Sequence, residues 1–276
     1  MAAFVDIQCF KSGKDFVVKE LSIATTASTG VKTWFFKPPY SGDERCDADI
    51  QQDRWLRDNF HGLRWCDGDR AYGDLRFILH GNLSAYYFVF AKGREKCDVL
   101  QRILKYRVVL NMEILECPSL RKLKCKGSRN VCSIDIHRKT GFECASRNSA
   151  NLLDWFLTTG GEKLTSSSFH KDSFIGVSQK FAVKTKVLAE AGFFYSGDRD
   201  VAVCCVCGIA IGSWDPWDRP DKEHYRWNPY CPLVRVPVEF GLPHIKHHEI
   251  KWNSHYEKSS DRQNEQQSAF SSSRKS

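Results

Sequence analysis

Val203-Cys204-Cys205-Val206-Cys207-Gly208, followed by His224 and then Cys231, is the stretch on which the reading of this chain turns. Cys204 and Cys207 form a Cys-x2-Cys pair, with sixteen residues between Cys207 and His224 and six between His224 and Cys231. Structural zinc takes four nitrogen or sulfur ligands in a tetrahedron, and three thiolates with one imidazole are a common set. The Cys-x2-Cys pair bends so that two sulfurs point at one metal, and Gly208 permits the tight backbone this needs. Arg219-Pro220-Asp221-Lys222-Glu223-His224 reads as a helix start with proline at the first helical position. His224 is therefore expected on a helix, with Cys231 just beyond it. Zn2+ is the implied cofactor, held by Cys204, Cys207, His224 and Cys231. Structural zinc contributes about 10–16 kcal/mol in peptide systems, a large share for a module of about 70 residues with a small core. Cys205 remains as a surplus thiol.

The surrounding residues extend the pattern. Leu188-Ala189-Glu190-Ala191-Gly192-Phe193-Phe194-Tyr195-Ser196-Gly197-Asp198 precedes the cysteines, Ser173-Phe174 lies further upstream, and Trp214, Pro220, Trp227 and Pro229 follow. With the metal spacing, these residues resemble a BIR domain, the baculoviral repeat of the inhibitor-of-apoptosis family, over residues 168–236. The chain departs from the family pattern at His170, where arginine is common, and at Thr185, where proline often stands. The resemblance implies a zinc module that binds another protein rather than catalysing a reaction. Members of the peptide-binding type hold a partner's free N-terminus, usually alanine, in a groove beside the zinc. Carried over, the resemblance makes Asp218 and Glu223 the carboxylates that meet the ammonium. Trp214 and Trp227 become the pocket wall, and Ile211 and Gly212 belong to the strand along which the peptide pairs.

General physics fits this reading. An ammonium favours a carboxylate partner in a partly desolvated pocket, and pairing at a sheet edge gives sequence-tolerant affinity. Aromatic anchors concentrate binding energy. The same residues also read as helix-start carboxylates favoured by the helix dipole and as core tryptophans. The implied partners are caspases or proteins with a free N-terminal alanine, and the implied role is to restrain apoptosis. Within the family, a mitotic-type adaptor holding a histone tail is the alternative. No cysteine follows Cys231 in this sequence, so it offers no RING finger and no basis for ubiquitin-ligase activity.

Residues 1–157 read differently. Phe4–Phe10, Phe16–Ile23 and Val31–Phe36 are rich in β-branched and aromatic residues and separated by turn formers, which predicts an antiparallel three-stranded start. Trp55, Leu56 and Phe60 stand at helical spacing. A strand over 85–90, a helix over 96–104, a strand over 107–110 and an amphipathic helix over 146–157 are expected to follow. That order predicts an α/β mixed-sheet layer, so the whole chain reads as α+β. It is similar to the RNase-H-like, DnaQ-type exonucleases, whose first strand carries Asp-x-Glu and whose later Asp and His residues serve two metals. Here the strand reads Asp6-Ile7-Gln8, and Asp98, Asp154 and His137 complete no set. A neutral glutamine does not hold Mg2+ tightly, so an inactive relative is expected and the chain is not read as an enzyme. Cys125, Cys132, His137 and Cys144 lie within twenty residues but lack a Cys-x2-Cys knuckle. They read either as a second metal site or as buried thiols with a surface histidine.

Hydrophobic residues at 42% and charged residues at 27% suit a folded soluble protein. The apolar runs fall well short of the ~20 residues a membrane span needs, so no membrane partner is expected. Asp6 inside the first apolar run argues against a signal peptide, and the twelve cysteines then favour metal or buried thiols over disulfides. A cytoplasmic location follows, with the nucleus as a further compartment. The net charge of +8 is concentrated in residues 92–129, where eleven Lys or Arg face four Asp or Glu. This stretch reads as a solvated helix face, or as a surface for an acidic partner or nucleic acid. In the rival reading it binds nucleic acid and the zinc module only recruits. Residues 158–167, rich in Gly, Thr and Ser, predict a linker, and residues 237–276 a largely disordered extension.

Overall fold

The computed structural model describes residues 1–105, 107–123 and 143–234, and the chain divides into two compact units between Leu164 and Thr165. The first unit is built on a five-stranded mixed sheet. Strands β1 (Ala2–Ser12), β2 (Asp15–Thr25) and β3 (Val31–Phe35) form an antiparallel meander. β4 (Phe88–Ala91) lies parallel to β1 and β5 (Val109–Asn111) parallel to β4, giving the order β3-β2-β1-β4-β5. Ala2 to Gln8 are buried without interruption, as befits a central strand covered on both faces. On one face Ala3, Val5 and Ile7 join Leu21, Leu79, Leu83 and Leu100 in an apolar cluster under α2 (Asp74–Leu83) and α3 (Arg94–Leu104). Each such aliphatic side chain contributes about 1.5–3 kcal/mol when fully buried. The opposite face carries polar residues: Asp6 stands beside Ser22 and Gln8 beside Glu20 in the β1–β2 register. α4 (Ala145–Trp155) packs over it, burying Asn148, Ser149 and Asn151.

Helix α1 (Asp47–Asn59) forms at the expected place but in an unexpected orientation. Trp55 is 58% exposed, and the residues the helix buries are Asp49 and Asp53. Asp49 accepts the Gly13 N–H at 2.8 Å and Asp53 pairs with Arg45, so carboxylate tethers rather than an apolar stripe hold this helix. The expected linker is helical instead. A π-helical turn over Phe156–Gly160 leads into α5 (Gly161–Thr165), and α6 (Ser167–Ser173) follows. A Cβ on Gly160 would lie 2.6 Å from the Trp155 ring, so this glycine serves close packing rather than chain flexibility. Of the second candidate metal cluster, Cys125, Cys132 and His137 lie outside the described residues, as do residues 237–276. Cys144 is buried and its thiol donates to Glu20 at 3.7 Å. Among the described residues, no helix is long and apolar enough to cross a membrane.

The second unit places α6 and α7 (Thr185–Glu190) ahead of an antiparallel sheet of β6 (Phe193–Tyr195), β7 (Ala202–Cys204) and β8 (Ala210–Ile211). α8 (Pro220–Trp227) follows, with proline in its first turn as expected. Phe174, Leu188, Phe193, Ala202, Ile211 and Trp214 form its core. Ser173 Oγ donates to the His170 carbonyl and accepts the Tyr195 N–H, tying α6 to β6. His170, at the family's arginine position, is buried.

Candidate metal centre and peptide groove

β7 ends on Cys204, where the backbone turns sharply. Gly208 stands at φ +69°, and its N–H donates to the Cys204 carbonyl at 3.0 Å. The N–H groups of Val206 and Cys207 point at Cys204 Sγ from 3.4 and 3.5 Å, an arrangement that favours a charged sulfur. α8 buries His224; Asn228 then donates to the His224 carbonyl and Cys231 to the Asn228 carbonyl, which returns the chain to the knuckle. The ligand atoms of Cys204, Cys207, His224 and Cys231 all lie within 4.8 Å of one another. Cys204 and Cys231 sulfurs are 3.9 Å apart, and Cys207 Sγ is 3.3 Å from His224 Nε2. A tetrahedron with Zn–S near 2.3 Å and Zn–N near 2.0 Å separates its donors by roughly 3.5–3.8 Å. Donor set and spacing therefore fit Zn2+.

Electrostatics within the four agree. The Cys204 thiol hydrogen bond, and then His224, hold Cys207 well below the ordinary thiol range; the same hydrogen bond and burial push Cys204 up. Cys205 is not one of the four. Its N–H donates to the Gly192 carbonyl, and burial pushes its thiol up to about 11, leaving a protonated core cysteine. Phe193 was not singled out from the sequence, yet its ring packs on both His224 at 5.0 Å and Trp214 at 5.9 Å.

The expected groove residues take varied positions. Among the described residues β8 pairs only with β7, and its outer edge carries no strand partner there. Ile211 is buried, and its carbonyl accepts Trp214 Nε1–H at 3.1 Å. Trp214 is itself only 4% exposed, so this indole is chiefly core, and its backbone N–H donates to Asp200 at 3.0 Å. Gly212 is half-buried, and a Cβ there would lie 3.1 Å from Val201 Cγ2. Asp218 accepts the Asp215 N–H at 2.8 Å and closes the turn before α8. Glu223 has a side chain 14% exposed and accepts Trp227 Nε1–H at 3.2 Å. Trp227 is half-buried against the same core. The Asp200 tie has no spacing signature, because the turn that presents it is set by the β6–β7 connection.

In the first unit, fully buried Asp6 meets Lys96 Nζ at 2.6 Å and Asn148 Nδ2 at 2.9 Å. Burial raises its pKa, opposed by Lys96 and Asn148. An ammonium thus neutralises the carboxylate that a nuclease-like site would offer to a metal. Asp98 faces outward and pairs with Arg94, and His137 lies outside the described residues. Among the described residues, only the Cys204–Cys231 group gathers metal-type ligands. The described part of the basic 92–129 stretch is largely committed internally. Lys92 faces Glu113 at 3.5 Å, Arg94 faces Asp98 at 3.7 Å, and Arg121 faces Glu143 at 3.9 Å. Arg107 donates to the Leu83 and Tyr86 carbonyls. This stretch therefore gives no support to nucleic-acid binding.

A three-stranded sheet, a cysteine knuckle and a helix converge on three thiols and one imidazole, a small module built around a zinc-type ligand cluster. The family model described as BIR, the Inhibitor of Apoptosis domain, matches residues 167–235. Those residues of this chain are a BIR domain. Baculoviral IAP repeat-containing protein 7 of Xenopus tropicalis is 47% identical over 49 residues, covering 18% of this chain and 13% of that protein. Baculoviral IAP repeat-containing protein 1 of Homo sapiens is 45% identical over 49 residues, covering 18% of this chain and 4% of that protein. The chain thus matches only a small part of the length of these curated relatives. A solved structure of the DIAP1 BIR1 domain bound to a Grim peptide is 30% identical, covering 28% of this chain and 84% of that one, with a TM-score of 0.24.

Proposed function

We propose that the BIR domain holds Zn2+ on Cys204, Cys207, His224 and Cys231 and captures the free N-terminus of a partner protein along the outer edge of β8. The observation that carries this reading is an edge strand without a strand partner among the described residues, set beside a zinc-type cluster, with Asp218 and Glu223 at the start of the helix that supplies His224. Backbone pairing to β8 supplies affinity that tolerates sequence variation, and one or both carboxylates meet the incoming ammonium. Asp218 is held by a single backbone N–H and Glu223 by the Trp227 indole, so both are oriented before the peptide arrives. The partners are caspases or proteins with a free N-terminal alanine, the outcome is restraint of apoptosis in the cytoplasm, and no covalent chemistry is involved. Calorimetric titration of the full zinc-loaded chain with a peptide beginning in free alanine tests this. Binding lost on N-acetylation and weakened by Asp218→Ala is the expected result; binding indifferent to acetylation refutes it.

The first unit is proposed as an RNase-H-like scaffold without catalytic activity. A mixed sheet with an antiparallel meander followed by two parallel strands supports the resemblance, and the Asp6–Lys96 pair supports the inactivity. Mg2+- or Mn2+-dependent cleavage of DNA or RNA that Asp6→Ala abolishes refutes it.

A further inference from the structure

A cavity in the first unit, with about 320 Å³ of accessible space, opens between α1 and the 63–65 segment. Ile50, Asp53, Arg54 and Arg57 reach it from one stripe of α1, at the i, i+3, i+4, i+7 spacing that shares a helix face. Arg64 lines the other side, while Phe10, Leu63 and Trp65 supply an apolar floor. Arg45 lies at the base with its side chain 2% exposed; it pairs with Asp53, donates to the Lys11 carbonyl and stacks 3.8 Å from the Trp65 ring centroid. Its Nε–H is buried without an acceptor, and the Oδ1 of Asp53 beside it is buried without a donor. The charge balance of the lining favours an anion. Arg45 neutralises Asp53, Arg57 is shared with exposed Asp58, and Asp43 is the remaining acid. Arg54 and Arg64 have no side-chain partner among the described residues.

We infer that this cavity binds a small organic phosphate, a nucleoside monophosphate or the 5′-phosphorylated end of an oligonucleotide. Guanidinium forks on Arg54 and Arg64 match phosphate oxygens in pairs, while the Arg57 fork is held by Asp58. The cavity lies at the small end of the range for ligand pockets and exceeds what a bare phosphate fills, so the apolar floor has room for the organic part.

The test is titration of the full chain with AMP, adenosine, inorganic phosphate, and oligonucleotides of one sequence carrying a 5′-phosphate or a 5′-hydroxyl. Heat and tryptophan fluorescence are the two readouts. AMP or the 5′-phosphorylated strand is expected to bind at least tenfold tighter than its unphosphorylated counterpart and than inorganic phosphate. Arg54→Gln and Arg64→Gln, both at exposed side chains that leave the core intact, should each weaken binding about tenfold, the worth of a charge-assisted hydrogen bond. A response to AMP alone assigns the free nucleotide, and a response to the phosphorylated strand alone assigns the nucleic-acid end. Equal binding of AMP and adenosine overturns the inference. So does inorganic phosphate binding as tightly as AMP, wild-type affinity in the double variant, or no binding up to millimolar concentration.

Discussion

Replacing Lys96 with methionine isolates the buried pair at the centre of the first unit. The Asp6 side chain is 0% exposed and the Lys96 side chain 23%, so the two partners are not equivalent. Lys96→Met leaves a carboxylate buried from solvent with the Asn148 amide as its remaining side-chain donor among the described residues. Losing one partner of a buried pair costs about 3–5 kcal/mol. An independent limit comes from protonation. The variant's Asp6 can shed its charge by binding a proton, which at pH 7 costs about 4 kcal/mol relative to an ordinary pKa near 3.9, and under about 1 kcal/mol at pH 4.5. The sign follows: an aspartate whose folded pKa lies above its unfolded value destabilises progressively as pH rises from about 4. Asp6→Asn, by contrast, leaves a lysine able to extend toward solvent, and should cost about 1–2 kcal/mol. The double variant should recover at least about 2 kcal/mol of the summed losses through coupling. Because the chain has two units, a single unfolding curve would mix them. Amide hydrogen exchange of the Ala2–Ser12 and Ala145–Trp155 peptides in the full chain reads the first unit alone. A Lys96→Met loss below about 1 kcal/mol at pH 7, or one indifferent to pH, refutes the reasoning.

Three further outcomes are expected. Chelating zinc, or replacing Cys231 with serine, should collapse hydrogen-exchange protection in β6 to β8 while leaving β1 protected, because a structural zinc contributes about 10–16 kcal/mol where the core is small. Gly192→Ala should destabilise the BIR domain by more than about 1 kcal/mol, since Gly192 stands at φ +82° and a Cβ would lie 2.6 Å from Leu233; amide hydrogen exchange of β6 to β8 in the zinc-loaded chain measures it. Buried Lys19 donates to the Phe36, Trp65 and Asp67 carbonyls, and burial pushes its pKa down to about 8. The unfolded chain binds this proton up to about pH 10.4, so the folded form lacks a proton that the unfolded form holds across pH 8 to 10. Wild-type stability should therefore rise relative to Lys19→Met in that window, as read by amide hydrogen exchange of the Asp15–Thr25 peptide at the two ends.

What the sequence determined by itself is local and chemical. Metal ligands must be thiolates or imidazoles at separations a knuckle and a helix can bridge, so Cys204, Cys207, His224 and Cys231 were legible from identity and spacing. β-Branched runs cut by Ser12-Gly13 and Ser28-Thr29-Gly30 announced the meander for the same reason, since strand and turn preferences act within a few residues. Tertiary structure decided whatever depended on partners distant in the chain. The orientation of α1 follows from Asp49 meeting Gly13 and Asp53 meeting Arg45, contacts that no periodicity encodes and that outweigh the apolar spacing of Trp55 and Leu56. Gly160-Gly161 looked like a linker because glycine favours flexibility in isolation, but the Trp155 ring packed against Gly160 turned it into a helical contact. The basic 92–129 stretch looked like a free patch, but among its described residues the fold sets acids or carbonyls against Lys92, Arg107 and Arg121. Trp214 needed Phe193 and Asp200, from the β6–β7 segment, to become core. Covalent and short-range preferences can be read one residue at a time, whereas burial and charge compensation are properties of the folded neighbourhood.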